Sequence, residues 1–251
     1  MAVTIAISGK GGTGKTTLAA LIIRHFKERG RTPILAVDAD PNSNLHEQLG
    51  LQVRETLGDI REETMESISN FPPGMTKEAY LNLRIQECVV EAEGLDLLTM
   101  GRPEGPGCYC YVNHLLRGYL DSLSRNYAAI VLDNEAGMEH LSRRTTQNVD
   151  FLFIVSEPSP VSLRSARRIY ELACNLKLKV GKAYLVLNRT EGELTEAQRA
   201  LIAEGGVELL GTIPNDATVE SFGLAGRPLW ALPGDSPAVS AVGTMLTSLG
   251  L

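Results

Sequence analysis

The 251-residue sequence has no apolar run approaching the roughly 18 residues of a membrane span. Its opening stretch, residues 1–9, breaks at glycine too early for a signal-peptide core. Neither membrane anchoring nor export is expected, and the sequence reads as cytoplasmic. Basic charge is short as well: 24 Lys+Arg stand against 30 Asp+Glu, a formal net charge of -6. Proteins that coat nucleic acid displace counterions with a basic field, which this balance does not supply. Only four cysteines are present, and in a reducing compartment they read as free thiols, metal ligands or core fillers rather than as a disulfide framework. Repeats and low-complexity tracts are absent. The remaining composition, 43% hydrophobic and 22% charged, is that of a globular chain expected to fold as one domain with a well-buried core.

Short β-branched runs alternate with segments of helical periodicity. Strands are predicted at Val3–Ser8, Pro33–Val37, Leu95–Thr99, Ala128–Leu132, Phe151–Ser156, Ala183–Leu187 and Val207–Ile213. Several are apolar without alternation, as in strands buried on both faces of a parallel sheet. Helices are predicted at Thr16–Arg29, Val112–Leu123, Ser162–Leu176 and Thr195–Glu204. Ser236-Pro237 reads as the N-cap and first residue of a last helix that carries no Lys or Arg. The pattern predicts an α/β fold, a mostly parallel doubly wound sheet flanked by helices, with sites at the strand C-termini. Residues 44–93 break the rhythm and read as an irregular insertion.

The first predicted strand runs into Gly9, Lys10, Gly11, Gly12, Thr13, Gly14, Lys15, Thr16 and Thr17, which fit G-x-x-x-x-G-K-[ST]. Glycines there let successive backbone N–H groups curl around phosphate oxygens at a helix N-terminus. Lys15 is placed to hold the β- and γ-phosphates, and the Thr16 hydroxyl to ligate Mg²⁺. The same stretch fits G-x-G-x-x-G, with Asp38 where a dinucleotide site keeps its ribose-binding acid. The run after Gly14 decides between them, because Lys-Thr-Thr puts a cation and a hydroxyl where a dinucleotide site needs close, uncharged helix packing.

Asp38 and Asp40 follow the second strand, and Asp133 follows the strand Ala128–Leu132. Parallel strands deliver these carboxylates to the edge that carries the phosphate loop, where Mg²⁺ and an attacking water are held. As plain structural residues Asp40 would form a turn and Asp133 a strand-end cap. Asn188 and Arg189 close one later strand, and Pro214 and Asp216 follow another. Asn188 offers a base edge both a donor and an acceptor, while a strand-to-loop turn is the alternative.

Cys108 and Cys110 form a C-x-C pair at the start of a helical run, a position that favours thiolate. Two sulfurs are half of a tetrahedral site, and a two-fold dimer completes it with four. Ligand softness admits Zn²⁺, Ni²⁺, Cu(I) or an iron–sulfur cluster. Cys88 and Cys174 sit beside apolar neighbours in helical patterns and read as packing residues.

K-G-G-T-G-K-T-T at residues 10–17 resembles the deviant Walker A loop of the MinD, ParA and nitrogenase-iron-protein class of P-loop ATPases. Together with D-A-D-P-N, G-R-P-E-G-P-G-C-Y-C and D-N-E-A-G-M-E-H, most of the chain resembles the nickel-inserting maturation ATPases of carbon monoxide dehydrogenase and acetyl-CoA synthase, the CooC/AcsF type. The resemblance implies a Mg²⁺-dependent ATPase and a homodimer formed with ATP or metal, in which Lys10 reaches the partner's nucleotide. It gives Asp40 the attacking water, Asp38 support of its loop, Asp133 the water shell of Mg²⁺, and Asn188, Pro214 and Asp216 the adenine. It implies Ni²⁺ as cargo at Cys108 and Cys110, with Zn²⁺ possible in the same place, and a nickel enzyme as client. Two departures stand out. Glu135-Ala136-Gly137 replaces the D-x-x-P-G form of partition ATPases, and Tyr109 stands where some members have Pro. No role is assigned to Glu135, Glu139 or His140. Two other classes compete: a partition or positioning ATPase, which would want basic charge in a terminal helix or on its surface, and an iron–sulfur electron-transfer ATPase, which would want a cysteine near residue 133.

Overall fold

The computed structural model describes residues 2–66, 74–101, 118, 124–134, 148–175 and 179–251. Eight strands form one sheet: β1 (Val3–Gly9), β2 (Ile34–Ala39), β3 (Val90–Ala92), β4 (Leu95–Thr99), β5 (Ala129–Asn134), β6 (Asn148–Ser156), β7 (Lys179–Thr190) and β8 (Glu208–Pro214). Their order is β3-β4-β2-β5-β1-β6-β7-β8, parallel throughout except for the antiparallel β3–β4 pair. The described helices are α1 (Lys15–Glu28), α2 (Leu45–Gln48), α3 (Leu57–Glu66), α4 (Lys77–Glu87), α5 (Pro160–Asn175), α6 (Glu196–Glu204), α7 (Ala217–Leu224) and α8 (Pro237–Ser248). The result is a single-domain α/β fold.

Two apolar layers sandwich the sheet, as the uninterrupted hydrophobic strands require. On one face Ile5 and Ile7 of β1 pack with Leu18, Ile22 and Phe26 of α1 and Val242 and Leu246 of α8. On the other, Ala6, Leu35 and Val37 meet Ile60 of α3, Ile85 of α4 and Leu163 and Ala166 of α5. Phe26 and Phe153 are wholly enclosed, so truncating either to Ala is expected to cost about 3–5 kcal/mol.

The C-terminal edge lies where the strand order turns. After β1 the chain moves outward to β2, then returns to lay β5 between β2 and β1 before crossing to β6 on the far side. This reversal leaves a crevice beyond the C-terminal ends of β1, β5 and β6, the usual ligand position in such sheets. In register, Asp38 lies opposite Asp133 and Ile7 opposite the same Asp133, so both acids reach this crevice together.

The predicted strands are all present, several with shifted ends. β7 runs from 179 to 190, well past the predicted Ala183–Leu187. Its first residues are more exposed and carry lysines, which blurs the apolar signal. Residues 44–93 hold α2, α3, α4 and the short strand β3. Thr56 opens α3, its hydroxyl donating to Asp59 at 2.8 Å while the Asp59 N–H donates back at 3.3 Å. A ladder ties this segment to the sheet: Met100 N donates to the Asp38 carbonyl at 2.8 Å, and Gly58 N donates to the Met100 carbonyl at 2.9 Å. Ser236 caps α8 by accepting from Val239 N at 3.3 Å, with Pro237 in the first turn, as the sequence predicts. The predicted helix Val112–Leu123 lies outside the described residues, apart from residue 118.

Candidate functional site

The loop between β1 and α1 wraps around one carbonyl. Lys10 O accepts from Thr13 Oγ1 at 2.8 Å, from Thr13 N at 3.4 Å and from Lys15 Nζ at 3.5 Å. Lys15 is buried beneath the loop, while Lys10, Gly11 and Gly12 are exposed at its tip. Gly14 is the N-cap of α1 in the left-handed region at φ 91°, and no side chain caps the helix there. The N–H groups of its first turn therefore point outward without intrahelical partners, next to a buried cation, as an anion cradle requires. Gly9 is constrained by proximity, since a Cβ there would collide with the Val155 carbonyl of the neighbouring strand.

Two carboxylates back this cradle, and their partners differ. Asp38 is fully buried; Oδ1 accepts from Asp40 N at 3.1 Å and Oδ2 from Leu45 N at 2.9 Å. Burial pushes its carboxyl up to about 7 against the pull of these two N–H donors. Asp38 thus shapes the turn that carries Asp40. Asp40 is half-buried on that turn, accepting from Asn42 N at 2.9 Å and Asn42 Nδ2 at 3.0 Å.

Asp133 is 1% exposed, and neither of its oxygens has a hydrogen-bond partner among the described residues. Burial raises its carboxyl to about 7; the neighbouring Thr16 hydroxyl and Lys15 charge favour the ionised form, and Asp38 opposes it. Orphaned carboxylate oxygens in a dry setting are costly unless something binds them. A hydroxyl and a bare carboxylate beside a phosphate cradle suit a hard divalent cation that keeps several waters, so the residues present fit Mg²⁺.

The opposite wall comes from β7 and β8. Asn188 donates from Nδ2 to the Thr13 carbonyl at 2.8 Å and accepts from Arg189 N at 2.9 Å through Oδ1. Arg189 adopts φ 54° and sends Nη1 to the Gly12 carbonyl at 3.0 Å and to Glu157 at 2.9 Å. Beside them a cavity of about 190 Å³ opens between α1, α7 and the ends of β7 and β8, bordered by Thr17, Leu18, Asn188, Arg189, Pro214 and Val219. That is small for a whole ligand and suits one ring system.

Asp216 borders this cavity but spends its carboxylate inside the protein. Oδ1 accepts from Thr218 N at 2.8 Å and Val219 N at 3.4 Å. Oδ2 accepts from Ser236 Oγ at 2.6 Å and Ala238 N at 3.2 Å. The Asp216 carboxylate is thus a cap shared by two helix N-termini, α7 and α8. Any base contact from Asp216 falls to its backbone.

The structure thus gathers Gly9 to Thr17, Asp40, Asp133, Asn188, Arg189, Pro214 and Asp216 at one edge. Cys108 and Cys110 lie outside the described residues, as do Glu135, Glu139 and His140. Of the other cysteines, Cys88 is buried and Cys174 exposed, so only the first has the predicted packing environment. Sequence reasoning missed Glu157; its place one residue past β6, on the edge that carries every other site residue, is the signal that could have found it.

Fold and site together define a P-loop nucleotide-binding protein. The chain belongs to the CbiA family, the CobQ/CobB/MinD/ParA nucleotide binding domain, which matches residues 4–229. It is 46% identical over 231 residues to an ATP-binding protein of Methanocaldococcus jannaschii, covering 91% of both chains. It is also 32% identical over 246 residues to the carbon monoxide dehydrogenase accessory protein CooC of Rhodospirillum rubrum, covering 93% of this chain and 90% of the relative. Among solved structures, the ParA family ATPase of Chlorobium tepidum shares the fold with a TM-score of 0.76 at 21% identity over 99% and 98% of the two chains. The septum site-determining protein MinD of Pyrococcus horikoshii, complexed with Mg-ADP, does so with a TM-score of 0.72 at 22% identity over 99% and 96%. No helix among the described residues is long and apolar enough to cross a membrane.

Proposed function

We propose that the protein is a Mg²⁺-dependent ATPase that pairs with a second copy and delivers Ni²⁺ to carbon monoxide dehydrogenase or acetyl-CoA synthase in the cytoplasm. The observation that carries the ATPase half is the orphaned Asp133 beside Thr16 and Lys15, directly behind the uncapped start of α1. Mg²⁺, when bound, supplies charge neutralisation at the phosphates. Lys15 and the loop N–H groups from Gly9 to Thr17 hold the phosphates. Thr16 and Asp133 would hold the cation side, and Asp40, half-buried on its turn, would orient the attacking water and reach the same shell. Asn188, Arg189, Pro214 and the Asp216 backbone border the base. Lys10, exposed at the loop tip, is free to reach a facing copy.

The nickel half is supported by the C-x-C pair and by the 32% identity to CooC across most of both chains. Cys108 and Cys110 from two copies supply four sulfurs for Ni²⁺, and Zn²⁺ suits the same donors. ATP binding draws the copies together and hydrolysis lets them part, coinciding with metal release to the client. Nucleic acid and lipid have no part in this reading.

The deciding experiment is metal analysis with molecular-mass measurement, with and without ATP, on the intact protein and on the Cys108→Ala/Cys110→Ala variant. Expected are a dimer holding about one metal ion per pair of chains, as a four-sulfur site requires, and loss of that metal in the variant with ATP affinity kept. Undiminished Ni²⁺ in the double variant overturns the cysteine site. A second reading, a partition or positioning ATPase, draws on the shared fold with ParA and MinD. It is disfavoured by α8, which has no Lys or Arg to meet DNA or lipid. ATP-dependent binding to liposomes or salt-sensitive retention on DNA would support it.

A further inference from the structure

We infer that Glu157 is a positioning residue for nucleotide binding, which holds the Arg189 guanidinium over the tip of the phosphate loop; the inference rests on the phosphate-loop reading above. A single nitrogen, Arg189 Nη1, is shared between the Glu157 carboxylate at 2.9 Å and the Gly12 carbonyl at 3.0 Å. The loops after β1 and β6 and the C-terminal end of β7 therefore meet at one guanidinium.

Each partner is fixed from behind. Arg189 sits in the left-handed region at φ 54°, and its N–H is taken by Asn188 Oδ1 at 2.9 Å. A non-glycine residue holds that conformation only where its surroundings impose it. The Glu157 N–H donates to the buried Ser162 hydroxyl at 3.1 Å, and its carbonyl accepts from Ser156 Oγ at 2.9 Å. The next residue is gripped as well, with Gln198 Nε2 donating to the Pro158 carbonyl at 2.9 Å from within the capping box of α6. The carboxylate thus projects from a rigid platform.

The ion pair itself is half-exposed, at 51% and 38% for the two side chains, so it contributes little to stability. Its effect lies in order. A free arginine side chain loses considerable rotamer freedom when it is immobilised. Anchoring it to Glu157 beforehand transfers that loss from nucleotide binding to folding and leaves the Gly12–Thr13 segment shaped for phosphate. Because Arg189 neutralises Glu157, the pair sets no net negative charge against the phosphates.

The test titrates ATP and ADP onto the full chain and measures kcat and KM for ATP hydrolysis. Glu157→Ala is expected to weaken both nucleotides and raise KM about fivefold, the scale of a half-exposed ion pair, with kcat within about twofold. Glu157→Gln keeps an acceptor for Nη1 and is expected to recover about half of the loss. In an Arg189→Gln background, Glu157→Ala is expected to change nothing further. Tighter binding in both Glu157 variants, or an undiminished loss in the Arg189→Gln background, overturns the inference. Should Glu157→Ala not fold, Glu157→Gln measured with and without Arg189 makes the same comparison. Failure of the unaltered chain to bind either nucleotide is a separate result, and overturns the phosphate-loop reading instead.

Discussion

Asn188 stands in the space that a side chain at Gly14 would need: its amide nitrogen lies against the position of the missing Cβ while donating to the Thr13 carbonyl at 2.8 Å. Residues 175 positions apart in sequence are thereby locked into one surface. The end of β7 and the phosphate loop behave as a single body, so neither wall of the site can be remodelled alone.

Gly14→Ala tests this lock. Backbone strain at φ 91° and the collision with Asn188 act together, and a stability loss of about 1–3 kcal/mol is expected with nucleotide binding abolished. Adding Asn188→Ala removes the collision and leaves the strain. Chemical denaturation of the double variant should then recover part of the loss; a purely additive result contradicts the contact.

Asp133→Asn separates stability from function. Its oxygens are buried without partners among the described residues, so replacing the carboxylate by a neutral amide is expected to stabilise the nucleotide-free protein by about 1–3 kcal/mol. Hydrolysis should fall by about 100-fold, about 2.7 kcal/mol of barrier. Thermal melting and steady-state ATPase assays check the two halves; a variant that is both less stable and fully active contradicts them.

Asp216 gives a pH dependence. Burial alone raises its carboxyl, yet hydrogen bonds from Ser236, Ala238, Thr218 and Val219 together hold it below the ordinary value. A carboxylate lowered on folding contributes stability above its unfolded pKa, near 4, and loses that contribution as pH falls through the folded value. Asp216→Asn should therefore cost about 1–3 kcal/mol at pH 7. Urea midpoints of variant and parent should draw together toward pH 3. A gap that widens in acid refutes the assignment.

Arg84 of α4 joins the α3 segment through Glu55 and Glu63, each at 2.8 Å, and pairs with Glu87 on its own helix at 2.6 Å, while Tyr80 adds a 2.7 Å bond to Glu63. The acids are 40%, 39% and 50% exposed, and screening limits the expected cost of Arg84→Ala to about 1 kcal/mol. That cost should shrink in 1 M salt, where the Debye length is about 3 Å. Denaturation at low and high salt reads it.

The sequence was most informative where one residue type serves one need. Gly14, Lys15 and Thr16 declare the phosphate loop because few other arrangements want a left-handed glycine, a buried cation and a hydroxyl in succession. Asp38 and Asp133 were legible because parallel strands deliver their ends to a common edge. Asp216 was assigned to the adenine through the family resemblance alone, and nothing in the sequence around it reveals that Ser236, twenty positions on, would claim its carboxylate oxygen. β3 was hidden by its length of three residues, too few for a periodic signal. Glu157 was hidden because its significance comes from Arg189, thirty-two positions away.

The short ladder from Asp38 to Met100 to Gly58 pins the end of β2 to the start of α3 through backbone alone. The chain that leads toward Cys108 departs from Gly101, directly after the residue bonded to the Asp38 carbonyl, and Gly101 at φ 69° has no room for a side chain against Thr56. Met100, which donates to one and accepts from the other, thus joins the end of β2 to the start of α3 one residue before the chain leads on toward Cys108.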